Sequence, residues 1–205
     1  MTEEDLQMVS ESEKKLMVFT TLFITGIVIS NVLAAKIVKM GVFVFPASII
    51  SYTFTFILIN MLSDVLESKY SKMLVYLGFL AQAVASLLIL MGLFMPSASV
   101  ERGEAYRLLL GTNWRFTLAS LSAYGVSQFA NFYIFNLKFL NNPLLMNLFS
   151  VAIAQLLDTV VFTVIAFLGV YKGLFPMILS QYLIKVIIVM VANPIFLLTR
   201  RLKER

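Results

Sequence analysis

The stretch VAIAQLLDTVVFTVIAFLGV, residues 151–170, holds one carboxylate, Asp158, in a run that is otherwise apolar. Further on, SQYLIKVIIVMVANP sets one cation, Lys185, in an equally apolar run. An ionised group at the centre of a lipid-spanning helix costs about 2.5–3.5 kcal/mol on insertion scales, so each of these two needs a partner or a use. The joint between the runs, VYKG, is short, which makes them antiparallel neighbours and puts their midpoints at similar depth. An ion pair there lowers the burial cost of both groups. It is either a structural salt bridge or part of a site. An apolar pair would usually be at least as stable, and charges within a membrane mark pathways and sites, so the functional reading is the stronger one.

Other polar groups sit in or at the ends of apolar runs. Lys36 closes the first in SNVLAAK, where a lysine can snorkel to headgroups; Ser30 and Asn31 lie more than a turn deeper and need partners there. Asp64 and Glu67, one turn apart in NMLSDVLESKY, suit either acid–base work or a solvated helix end beside Lys69 and Lys72. Pro46 in FPAS either frees backbone groups for a ligand or makes an interfacial bend. Arg115, next to Trp114, reads as an interfacial anchor as readily as a site residue. The segments SQFANFYIF and AQLLDTVVF share a spacing that puts Gln128, Asn131 and Phe135 on one helical face, and likewise Gln155, Asp158 and Phe162. In consecutive antiparallel spans such a match would be an inverted repeat.

The elements that carry these residues follow from composition. The 205 residues are 60% hydrophobic and 13% charged, against about 45–50% and about 25% in soluble domains, and mean hydropathy is +0.91. The solvent is lipid. Continuous apolar runs, rather than alternation at every second residue, exclude a barrel. Six runs are long enough for a hydrocarbon core of about 30 Å: roughly 16–36, 42–63, 73–95, 114–136, 144–170 and 174–198. The expected fold is therefore all-α, a polytopic membrane protein with six transmembrane helices, flanked by a polar segment 1–15 and a basic tail 199–205. The third joint is the longest, and its EAYRLLLG suits a short amphipathic surface helix. With both termini in the cytoplasm, nine Lys and Arg fall on inner segments and six on outer ones, as the positive-inside rule prefers. The acidic N-terminus lacks the start and cleavage site of a secretory signal, so the first span is expected to act as its own insertion signal.

The chain has no Cys and no His, which removes thiol chemistry and every metal site built on thiolate or imidazole. Any proton coupling falls to carboxylates. No phosphate loop, HExxH or GxSxG occurs, and Asp158 is the one clearly deep aspartate, so catalysis is not expected and no cofactor is implied. The net charge of +5 is scattered over the joints and serves topology and lipid headgroups rather than nucleic acid.

With these residues in view, the chain resembles the queuosine-precursor transporter family, also described as a vitamin-uptake family, over nearly its whole length. SNVLAAK is similar to that family's SN-x-x-A-x-K element, and TFILINMLSDVLESKY to its D-V-L-T-E-V-Y-G segment. AYRLLLGTNWRFTLASLSAYGVSQ, SVAIAQLLDTVVFTVIAF and YLIKVIIVMVANP are similar to three further elements in the family's order. The resemblance implies a multi-pass protein of the cell membrane that imports 7-deazaguanines, in the cyano or aminomethyl form, by alternating access. It also implies a substrate-binding set of Asn31, Lys36, Asp64, Arg115, Gln128, Asn131, Gln155, Asp158 and Lys185. Glu67 falls one residue before the family's Glu, where this chain has Ser68, and Asn131 stands where Asp is common. The chemistry is compatible: a carboxylate accepts side by side from the ring N–H and exocyclic amine, amides or Lys donate to the carbonyl, and Phe or Tyr stack on the flat faces. The alternative is a substrate-capture membrane subunit of an ATP-driven uptake complex, for which Gly26, Ser30 and Ala34 offer a small-residue docking stripe. Small carriers often pair, so a homodimer is one expected assembly.

Overall fold

The computed structural model describes residues 11–55, 58, 68–137 and 142–203. Helix α1 (Glu11–Ala34) runs into a hairpin of β1 (Ile37–Met40) and β2 (Phe43–Pro46), followed by a helical segment over 49–55. Then come α2 (Ser68–Phe94), α3 (Val100–Leu110), α4 (Asn113–Asn136), α5 (Pro143–Phe167) and α6 (Leu174–Lys203). Local chemistry sets several of these ends. Pro96 follows α2 where a helix could not continue. Ser99 Oγ accepts from the Arg102 N–H at 3.4 Å and caps α3. Pro143 opens α5 at the position where a missing N–H costs nothing, with Asn142 Oδ1 accepting from the Leu145 N–H.

Five of the six expected spans coincide with helices, with ends shifted by a few residues. The second is corrected at its start, because residues 43–46 are strand rather than helix. The pairs Met40–Phe43 and Ile37–Pro46 set the antiparallel register around a two-residue turn, in which Gly41 takes φ +59°. Valine, isoleucine and phenylalanine on either side favour the extended chain, and the helix starts only after Pro46. The first span also ends earlier than expected, at Ala34, which leaves Lys36 in the turn beyond it. Asp64 and Glu67 lie outside the described residues. The third joint does carry a short helix, α3, and none of its residues is buried.

Among the described residues, three stretches are long and apolar enough to cross a membrane: Leu16–Ala34, Met73–Phe94 and Phe149–Phe167. Leu174–Ile188 is apolar but shorter. Helix α4 falls outside that class because Ser, Gln and Asn dilute its apolar residues. The outside of the bundle is greasy: Tyr76, Leu80 and Leu87 on α2, Phe129 and Phe132 on α4 and Leu145 on α5 are all exposed. Soluble monomers rarely expose apolar surface on this scale; lipid chains would cover it.

α5 packs along α4 and against α6, while α2 packs on α1 and α4. Two apolar plugs lie in the interior. One joins Ala34, Val44, Phe116, Phe167 and Met177 where α1, β2, α4, α5 and α6 meet. The Val44 N–H donates to Ser180 Oγ at 3.0 Å and ties the hairpin to α6 there. The other plug joins Phe23, Leu58 and Leu74. Along α1, residues 27–31 lie between the two plugs, and a cavity lined by both apolar and polar side chains opens at that level.

Candidate functional site

The cavity measures about 220 Å³ and takes side chains from α1, the 49–55 segment, α2, α4, α5 and α6. Asp158 lies nine residues before the end of α5, about 13 Å along the axis, and Lys185 eleven residues into α6, about 16 Å. The antiparallel helices therefore bring both to one level. Lys185 Nζ donates to Asp158 Oδ2 at 2.7 Å, and both residues line the cavity. The two are not buried alike: the lysine side chain is 8% exposed and the aspartate 25%. The carboxylate thus keeps an open side, and Oδ1 has no hydrogen-bond partner among the described residues.

A second layer holds this pair in place. Lys185 Nζ stands 4.5 Å from the centroid of the Tyr52 ring, a cation–π contact that carries part of the ammonium's desolvation cost. The Tyr52 hydroxyl donates to Gln155 Oε1 at 3.0 Å, one turn from Asp158 on the same face of α5. Gln181 Nε2 donates to Thr163 Oγ1 at 2.9 Å and fixes α6 against α5 a turn away. Ring faces come from Tyr52, Phe79, Tyr124 and Phe162, with Phe79 and Tyr124 tilted at a centroid distance of 4.8 Å.

The expected site residues separate into groups. Asn31, Asp158 and Lys185 line the cavity. Buried Asn31 has the partner its depth demanded, donating from Nδ2 to Thr117 Oγ1 at 2.6 Å. Gln155 joins the group through Tyr52. Lys36 is exposed in the turn after α1 and does not line the cavity. Gln128 is exposed on α4, so the spacing it shares with Gln155 does not give the two glutamines equivalent surroundings. Asn131, half-buried, is also outside the lining, and its Oδ1 has no partner among the described residues. Arg115 works elsewhere: Nε and Nη2 donate to the Ile165 and Leu168 carbonyls, each at 2.5 Å. Its guanidinium caps the C-terminal end of α5, where carbonyls lack helical partners and the dipole favours a cation.

Sequence reasoning missed Tyr52, Gln181 and Gln82, all of which line the cavity. A polar side chain within an apolar run was the available signal for the two glutamines; nothing in the sequence separates Tyr52 from the other seven tyrosines. A larger cleft, about 680 Å³, lies between the end of α2 and α3, but none of its lining residues is buried. The candidate site is the interior one. The small-residue stripe of α1 is already occupied: a Cβ on Gly26 would meet Thr55 Cγ2 at 2.5 Å, and Ser30 Oγ lies 2.7 Å from Ser51 Oγ.

A helical bundle with an apolar exterior around a charged and aromatic cavity defines a membrane protein with an interior site of small-molecule size. Residues 46–199 match the family described as "Putative vitamin uptake transporter", and the chain belongs to that family. The family is one of membrane transporters, not of enzymes. Over 145 residues the chain is 32% identical to a Bacillus subtilis (strain 168) protein named "Probable queuosine precursor transporter". The aligned stretch covers 64% of this chain and 63% of that relative's length. No solved structure matches the chain.

Proposed function

We propose that this protein imports queuosine precursors, the 7-deazaguanines in cyano or aminomethyl form, across the cell membrane by alternating access, with six spans and both termini in the cytoplasm. The observation that carries the reading is the Asp158–Lys185 pair, 2.7 Å apart, on the wall of a cavity of about 220 Å³. That volume lies below the about 300–1,000 Å³ of drug-sized pockets and suits a flat guest of one or two rings. Asp158 accepts the ring N–H and exocyclic amine, Lys185 donates to the neighbouring carbonyl, and the aromatic side chains cover the ring faces. In the empty protein Lys185 balances Asp158. Asn31 and Gln155 hold the helices and Tyr52 that shape the site. The name of the Bacillus subtilis relative supports the choice of guest.

The test is uptake by the purified chain alone in proteoliposomes, with labelled 7-cyano-7-deazaguanine against labelled guanine. Saturable uptake of the deazaguanine is expected, competed by the aminomethyl form. Vesicles that take up neither compound faster than protein-free controls would refute the proposal.

A further inference from the structure

Gln82 on α2 is 3% exposed, lines the cavity, and its Nε2 has no hydrogen-bond partner among the described residues. A buried donor without a partner is costly, so such groups are rare in folded proteins and call for an explanation. The other cavity amides differ: Asn31 donates to Thr117 and Gln181 to Thr163. Gln82 also belongs to a different wall from the ion pair, since α2 packs on α1 and α4, whereas Asp158 and Lys185 stand on α5 and α6.

Resting on the deazaguanine reading above, we infer that Gln82 reads the substituent on the guest's five-membered ring. Asp158 and Lys185 hold the six-membered ring's N–H, amine and carbonyl edge. The 7-substituent projects from the five-membered ring beside that carbonyl, outside the set of atoms held by the ion pair, and is left to the wall that carries Gln82, Phe79 and Tyr124. A primary amide suits either form of that substituent. Its NH₂ donates to a nitrile nitrogen, and after a half-turn about the terminal bond its carbonyl accepts from an ammonium. The unmet donor of the empty cavity is satisfied when the guest arrives, so its cost is removed on binding rather than on folding.

The experiment measures affinities of 7-cyano-, 7-aminomethyl- and unsubstituted 7-deazaguanine for the detergent-solubilised full chain, as wild type, Gln82→Met and Gln82→Glu. Wild type is expected to bind the cyano form about 10-fold more tightly than the unsubstituted one, the worth of one well-placed hydrogen bond. Gln82→Met should erase that ratio, and Gln82→Glu should shift preference toward the aminomethyl cation by about 10-fold or more. Because the amide lacks a partner, Gln82→Met should not lower the melting temperature of the ligand-free protein. A cyano-to-unsubstituted ratio unchanged in Gln82→Met overturns the inference and leaves the deazaguanine reading standing. A melting temperature several degrees lower in that variant also overturns it, by showing that the amide serves the fold. Wild type that binds none of the three compounds overturns both.

Discussion

Removal of the two cavity charges, singly and together, separates their structural role from their use. In Asp158→Asn, the Lys185 ammonium, with its side chain only 8% exposed, loses its counter-charge. Stripping one partner from a buried pair costs about 3–5 kcal/mol. The Tyr52 ring, 4.5 Å from Nζ, remains in the variant, but it stabilises the ammonium equally in wild type and so does not reduce that difference. The loss is therefore about 3–5 kcal/mol, and at about 2–4 °C per kcal/mol for a chain of this size the melting temperature falls by about 6–20 °C. Lys185→Met should cost less, because the carboxylate it abandons is 25% exposed to the cavity. The double variant Asp158→Asn/Lys185→Met leaves no unpaired charge and should melt within about 1 kcal/mol of wild type. Thermal unfolding in detergent gives the stabilities, and proteoliposome uptake of 7-cyano-7-deazaguanine gives the function. All three variants should insert, and none should transport. If the double variant takes up the compound at the wild-type rate, the pair is a structural salt bridge and the reasoning about the site fails.

Further expectations are narrower. Tyr52→Phe, which keeps the ring under Lys185 but drops the hydroxyl bonded to Gln155, should weaken ligand affinity only a few-fold, about the worth of one hydrogen bond. Tyr52→Leu removes the ring as well and should cost clearly more in affinity; equal losses in the two variants would argue against the cation–π contact. Arg115→Ala should lower stability by about 1–3 kcal/mol by uncovering the Ile165 and Leu168 carbonyls. Arg115→Lys should recover only part of that, since one ammonium lacks the planar fork; substrate affinity unchanged in both, measured by thermal shift, would place Arg115 in the scaffold. Asn31→Leu and Thr117→Val each break the 2.6 Å bond between α1 and α4. Their effects should be non-additive in a double-mutant cycle, with a coupling of about 0.5–3 kcal/mol; additive losses would show that the bond contributes nothing.

The sequence by itself determined the solvent, the class and the principal pair. Apolar content far above the soluble range forces a lipid-facing surface, and long apolar runs leave helix as the main way to satisfy their backbone. A lone Asp158 and a lone Lys185, each at the middle of such a run and joined by a short loop, had to find one another, because the cost of isolation in lipid admits few other solutions. The hairpin was not legible: FVFP reads as apolar in either conformation, and only the glycine turn and the docking of Val44 on Ser180 select strand. Arg115 could not be placed either, since a cation at a helix start reads as an anchor until the end of α5 arrives beside it from 50 residues away. Which glutamines matter was equally a tertiary decision. Gln128 and Gln155 share a spacing, yet one faces outward and the other meets Tyr52; Gln82, unremarked in its run, ends on the cavity wall. The physical reason is that helical period determines which residues share a face, while rotation of each helix about its axis, set by packing against its neighbours, determines where that face points.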